Sequence, residues 1–368
     1  MTMNIARRLG ACSAALALFA AASASSATAQ DLTIASSLPP AHLWVAAHKK
    51  PFIEALEAKS NGDISFTAFY AGELTGLGRE LDALQNGVVD IVDPLVAPYH
   101  EGAFPLSEIT QLPTYETDAV MVTRAFQNLL DSDTEIAPGK TFYDYEVGDK
   151  GLKAWGIGAT AAYSISTTGK ELKAPADFEG VPMRAGSALQ TIVLDKLGST
   201  PVTMPASQAY EALSRGTIDG IVLAVVDWKS YSMEQLLKYT IEGVSIGQWE
   251  SYLAMTPQTW ERFSPEQQAM IDETARQVSL DAAAQWEEGM DAVRDAALEA
   301  GATFVSVTDL DPAMQEHIAK AAQDTWVEWI EKLEGEGHPA KAAAKLYAEL
   351  IVAEGGVLPD GIGEYLGM

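Results

Sequence analysis

Residues 174–227 read APADFEGVPMRAGSALQTIVLDKLGSTPVTMPASQAYEALSRGTIDGIVLAVVD. A short apolar run, Val181 to Met183, reads as a strand that ends on Arg184. The helical run Leu189 to Leu197 stops at Gly198, the usual left-handed helix stop. A second strand (Pro201 to Met204), a second helix (Ser207 to Arg215) ending at Gly216, and a third strand (Ile218 to Val222) follow. Strand, helix, strand, helix, strand is the pattern of a parallel α/β lobe. Such lobes bind ligands at the carboxyl ends of their strands, which is where this pattern puts Arg184.

The pattern has an echo upstream. Ala83-Leu84-Gln85-Asn86-Gly87-Val88-Val89-Asp90-Ile91 matches residues 212–220 as helix end, glycine stop, and strand carrying an aspartate. We read two similar lobes. Around the first, Leu32 to Ser37 is a strand, Pro39 and Pro40 a turn, and His42 to Ser60 a helix. Asp63 to Tyr70 is a strand, Gly72 to Gly78 a loop, Arg79 to Asn86 a helix, and Val88 to Val92 a strand. Pro94 to Pro113 reads as loop, Thr117 to Leu130 as a helix capped by Thr117, and Asp131 to Gly151 as surface. Leu152 to Ile157 is a strand entering the second lobe. Past Asp227 come a helix (Ser232 to Lys238), a strand (Gln248 to Met255), and a long helix from Pro265 to Ala300. A strand (Thr303 to Val307) and helices reaching Leu333 and spanning Ala340 to Ala353 end the chain. The expected architecture is therefore α/β and two-lobed, of the periplasmic binding-protein kind, with hinge-crossing strands and a long connecting helix. The expected division is residues 30–160 plus about 249–288 for the first lobe and 161–248 plus about 289–330 for the second, with 331–368 a C-terminal helical segment.

Residues 1–29 read as a secretory signal peptide: Arg7 and Arg8, the apolar run Ala11 to Ala22, and the cleavage site Ala27-Thr28-Ala29. The expected product is soluble and periplasmic. Its only cysteine, Cys12, leaves with that segment, which excludes disulfides, thiol catalysis and cysteine metal sites. The net charge of −27 argues against nucleic acid and anionic membranes as partners. Gly72 to Gly78 lacks the lysine and serine of a phosphate cradle, His42 and His48 are wrongly spaced for a metal pair, and no Gly-x-Ser-x-Gly elbow occurs. No cofactor and no metal are expected.

Arg184 is the leading candidate for ligand binding. A guanidinium presents a planar fork that grips a carboxylate through two charge-assisted bonds. The alternative is an ion pair with Asp177 or Glu179. The aromatics Trp44, Tyr70, Tyr99, Tyr163, Trp228 and Tyr231 fall in or beside loops at strand ends and suit an organic solute, although core packing is open to each. Pro39, in the turn after the first strand, joins the candidate set. Asp93 and Asp227 are loop acids, for which solvated surface is the default, and Tyr210 reads as a core residue of its helix.

The block resembles the solute receptors of tripartite ATP-independent periplasmic (TRAP) transporters, the DctP family. Pro175 to Arg184, Leu197-Gly198, Pro201-Val202-x-Met204, Tyr210-Glu211-Ala212-Leu213 and Gly216-x-Ile218-Asp219-Gly220 carry the resemblance, with Gly72-Glu73-Leu74, residues 83–90 and Leu112-Pro113 in the first half. It spans nearly all of the chain after residue 29. It implies binding without catalysis, Arg184 as the carboxylate anchor, and small and large integral membrane subunits as partners. An ATP-driven receptor or an exported enzyme are the alternatives. Two departures stand out: Ser164 where many members carry a second arginine, and Leu223 where many carry an asparagine. Both remove polar contacts, so the expected ligand is less polar than a sugar acid or C4-dicarboxylate, with an aromatic or branched monocarboxylate favoured.

Overall fold

The computed structural model describes residues 30–244 and 246–368; the signal-peptide reading of 1–29 lies outside them. Among the described residues thirteen strands form two large sheets and one hairpin. β1 (Gln30–Ala35), β2 (Ile64–Phe69), β3 (Ile91–Leu95), β6 (Lys153–Gly156) and β12 (Tyr252–Met255) make the first sheet, in the order β2-β1-β3-β12-β6. β7 (Ser164–Thr167), β8 (Pro182–Ala185), β9 (Thr200–Thr203), β10 (Gly220–Leu223), β11 (Tyr239–Glu242) and β13 (Thr303–Ser306) make the second, β13-β11-β7-β10-β8-β9. β4 (Glu135–Ala137) and β5 (Lys140–Thr141) pair as the hairpin. β8 runs parallel to β9 and β10, as β1 does to β2 and β3, so both lobes have the expected parallel core.

The chain crosses between lobes three times. Residues 157–163 and 247–251 cross side by side, joined by Ile157 N–H to Ser251 O (3.0 Å), Thr160 N–H to Trp249 O (2.9 Å) and Tyr163 N–H to Gly247 O (3.1 Å). The sequence reading made Gln248 to Met255 one strand; only Tyr252–Met255 joins the sheet, because Gln248 to Ser251 form this crossing instead. The third crossing is the long helix, Pro265–Glu288 followed by Met290–Glu299. It is interrupted at Gly289, where a Cβ would sit 2.8 Å from Val226 Cγ2. The missing side chain lets the helix pass close over the second lobe.

Four local expectations are corrected. His42 to Ser60 is a π-helix over Trp44–Lys49 that becomes α over Lys50–Lys59. Pro51 lacks an N–H and crowds the carbonyl four residues back, and the wider turn relieves that conflict. Asp118, not Thr117, caps the helix Ala119–Asp131 by accepting from Met121 N–H at 2.8 Å. Ser232 to Lys238 is not helical: Ser232 takes a left-handed conformation (φ 58) that closes the 3₁₀ turn Val225–Tyr231. Residues 131–151 are not merely surface, since Phe142, Glu146 and Val147 are fully buried.

Glu146 has a consequence for stability. Its carboxyl accepts from Ser107 Oγ (2.6 Å), which also meets Tyr252 OH (2.6 Å). Burial raises it to about 7 from 4.5, against the lowering effect of Ser107. An acid raised by folding is tolerated while protonated and penalised once it must ionise. The penalty is absent below pH 4.5 and complete above about 7. At about 1.4 kcal/mol per unit this amounts to roughly 3 kcal/mol. Glu146→Gln is expected to flatten the fall in melting temperature between pH 5 and 8 (about 3 units) relative to wild type, measured by calorimetry in matched buffers. Parallel profiles would show that Glu146 does not titrate in that window.

Candidate functional site

A cavity of about 580 Å³ lies between the two sheets. The first lobe contributes the turn after β1 (Ser37, Leu38, Pro39), then Leu77, Val96 and Tyr99. The second contributes Arg184 from β8, Pro205 to Ser207 after β9, and Leu223 and Asp227 from β10 and the turn after it. Thr160, Tyr163 and Trp249 come from the crossing segments, and Trp286 from the long helix. The carboxyl ends of the parallel strands thus converge on one chamber, as the topology requires.

Arg184 is 2% exposed. Its Nε donates to Met204 O (3.0 Å) and its Nη1 to Val222 O (3.1 Å). Among the described residues no carboxylate lies within ion-pairing distance of it. Asp177, one of the two acids proposed as its partner, instead accepts from the N–H groups of Lys173 and Ala174 at 2.8 Å. A buried guanidinium held by main-chain carbonyls, with the neutral Tyr99 hydroxyl beside it, is a charge without an ion-paired partner, a state that a bound anion relieves. Tyr99 stacks on Trp249 (5.9 Å), and Tyr163 lies against the same indole (6.5 Å). Burial pushes both phenols above their ordinary range, a shift that the Arg184 charge opposes, so both are neutral donors at this end of the chamber.

Gly186 keeps this end open. A Cβ there would lie 2.3 Å from Arg184 Nη2 and 2.9 Å from the Trp249 ring. Gly186→Ala is expected to displace a guanidinium fixed by two bonds and to weaken ligand binding by about 1–3 kcal/mol without removing charge. Unchanged affinity by calorimetry would mean that the fork can move freely.

The second group of contacts surrounds His42, which sequence reading did not place in the site. Its ring is 5.5 Å from Trp44, 5.8 Å from Tyr231 and 6.1 Å from Trp286. Trp44 is anchored by Nε1 donating to Gly158 O at 2.8 Å. Asp227 is buried, with Oδ1 3.8 Å from His42 Nε2. Burial raises the Asp227 carboxyl, an effect reduced by His42, Ser230 and Arg184, and burial lowers His42.

Of the candidate residues, Arg184, Trp44, Tyr99, Tyr163, Leu223, Asp227 and Pro39 line the chamber, with Tyr231. Five other expectations are corrected. Trp228 is fully buried and stacks on Phe304 (5.9 Å), outside the lining. Ser164 pairs with Leu223 in the sheet, and its neighbour Tyr163 faces the chamber instead. Tyr70 lies under the Lys49 ammonium (4.2 Å to the ring centre). Asp93 is no loop acid: it sits in β3, fully buried, bonded to His48 Nδ1 at 2.8 Å. Tyr210, read as core, is half exposed and lines the chamber mouth. Trp249 and Trp286 went unnoticed because each lies within an expected strand or helix, between polar neighbours, with no strand end or loop beside it to mark it. His42 carried one signal, its place directly after the Pro39-Pro40 turn.

Asp93, His48 and Ser279 form a chain at 2.8 and 3.2 Å that has the composition of a hydrolytic triad. All three are fully buried, and Ser279 Oγ donates to the main-chain carbonyls of Gly156 or Ala275 at 2.7 Å. No substrate reaches that hydroxyl. The chain fastens the π-helix to β3 and to the long helix.

Comparison with known proteins agrees with this arrangement. The sequence profile of DctP, bacterial extracellular solute-binding protein family 7, matches residues 34–332. A TRAP solute-binding protein from a marine metagenome, specific for aromatic acid ligands and crystallised with 3-hydroxybenzoate, is similar in structure: TM-score 0.76, 29% identity, covering 89% of this chain and 99% of that one. One from Rhodoferax ferrireducens, in complex with copurified benzoate, gives 0.75 at 25% identity, covering 88% and 98%. A solute-binding protein of Chromohalobacter salexigens is 22% identical over 261 residues, 70% of this chain and 74% of that one. The chain belongs to the DctP family, the solute-binding proteins of TRAP transporters.

Proposed function

We propose that this protein receives an aromatic monocarboxylate in the periplasm and delivers it to the small and large membrane subunits of a TRAP transporter. One observation carries the ligand class: a buried guanidinium with no ion pair among the described residues, in a chamber walled by Trp44, Tyr99, Tyr163, Trp249 and Trp286. The guanidinium takes the carboxylate, and the rings take the apolar body through stacked or edge contacts. Among the described residues the chamber lining holds Leu223 and no second arginine or lysine, which leaves a doubly charged solute without a partner for its second charge. Such a ligand would bury polar groups unpaired, at about 1–3 kcal/mol each. The relatives crystallised with 3-hydroxybenzoate and benzoate support the same class. Delivery to membrane subunits and a periplasmic location rest on membership of an extracellular solute-binding family. Among the described residues no helix is long and apolar enough to cross a membrane.

A thermal-shift panel tests the ligand class. Benzoate-type acids are expected to raise the melting temperature in a concentration-dependent way, since a ligand at about 100 times its Kd stabilises by about 2.7 kcal/mol. Stabilisation by sugar acids or C4-dicarboxylates alone would reject it.

A further inference from the structure

We infer that His42 and Asp227 form a second polar subsite that reads a hydroxyl group on the ligand, so that the preferred solute is a hydroxyaryl monocarboxylic acid. This rests on the reading of Arg184 as the carboxylate anchor and adds a second pole to it.

Trp44 N–H donates to His42 Nδ1 at 3.2 Å. A neutral ring that accepts at Nδ1 carries its hydrogen on Nε2. Burial lowers the pKa of His42 and so keeps the ring neutral. The Nε2–H lies 3.8 Å from Asp227 Oδ1, too far for a hydrogen bond. Asp227 Oδ1 is itself buried with no hydrogen-bond partner. One donor and one acceptor therefore stand side by side in the chamber wall, both unused, ringed by Trp44, Trp286 and Tyr231.

A hydroxyl answers both groups at once: it donates to Asp227 and accepts from His42 Nε2–H. An aryl amine donates to Asp227, but its lone pair is delocalised into the ring and makes a poor acceptor for His42. A second carboxylate satisfies His42 but meets the Asp227 oxygen with its own. An unsubstituted aryl acid fills the Arg184 end and leaves Asp227 Oδ1 buried and unpaired, which lowers affinity.

The test is calorimetric titration of the full chain, freed of copurified ligand by unfolding and refolding. Benzoate and phenylacetate are compared with their 3- and 4-hydroxy and 3- and 4-amino derivatives. At least one hydroxy acid is expected to bind tenfold or more tighter than both its parent and its amino analogue. Asp227→Leu is expected to bring the ratio of hydroxy acid to parent close to one, and His42→Phe to reduce it. Equal affinities for parent and hydroxy acids in the wild-type chain would overturn the subsite while leaving the Arg184 anchor standing. So would a preference that persists in Asp227→Leu. Failure of every aryl acid to bind would overturn both. The wild-type comparison decides the matter even if a variant does not fold.

Discussion

Arg184→Ala is expected to lower affinity for an aryl carboxylate by 30-fold or more. Removing one partner of a buried charge pair costs about 2–5 kcal/mol. Among the described residues no other arginine or lysine lines the chamber, so no neighbour substitutes for the guanidinium. The variant also leaves Met204 O and Val222 O without their donor, so its melting temperature must be measured alongside. Arg184→Lys separates the two effects. It keeps the charge but presents a point rather than a fork, and intermediate affinity is expected. Full affinity in Arg184→Ala would remove the carboxylate from this end of the chamber.

Gly247→Ala is expected to be the most damaging small substitution in the hinge. Gly247 has φ +74, and a Cβ there would lie 2.2, 2.3 and 2.4 Å from Gln111 O, C and Cα. All three are main-chain atoms, and the next residue is tied to the same loop by Gln248 N–H to Thr110 O at 3.0 Å. Neither side can yield cheaply. Left-handed strain and overpacking together come to roughly 3 kcal/mol or more. Gly87→Ala is the control: its φ is +65, but nothing lies within 4 Å of its Cβ, so only the conformational part, about 1 kcal/mol, is expected. Denaturant unfolding of the two variants measures the difference. Equal losses would show that the main chain at Thr110 and Gln111 yields freely to the added methyl.

The parallel lobes were legible because glycine stops such as Gly198 and Gly216 bound each helix, and both hold positive φ as expected. Arg184 stood out as a cation ending an apolar strand, but its position alone left an ion pair with Asp177 or Glu179 open, and the family resemblance is what favoured the ligand role. The chamber's aromatic wall was only half legible. Trp228 and Tyr163 have the same sequence signature, an aromatic beside a strand end, yet one packs on Phe304 and the other faces the ligand space. That difference is set by which way each turn leaves its strand. Asp227 and Asp93 likewise read alike as loop acids. One lies 3.8 Å from His42 in the chamber, the other is locked on His48, because the histidines that receive them lie more than forty residues away in sequence. Contacts between residues so far apart in the chain leave no periodic trace.

The most direct measurement compares 3-hydroxybenzoate with 3-hydroxybenzamide, nearly identical in shape, by calorimetric titration of the refolded chain. An acid held by a buried guanidinium is expected to bind one per chain and at least about 30-fold tighter than the amide, the equivalent of roughly 2 kcal/mol. Equal binding of the two, or binding of neither alongside a tightly bound dicarboxylate, would contradict a single charged anchor among aromatic walls.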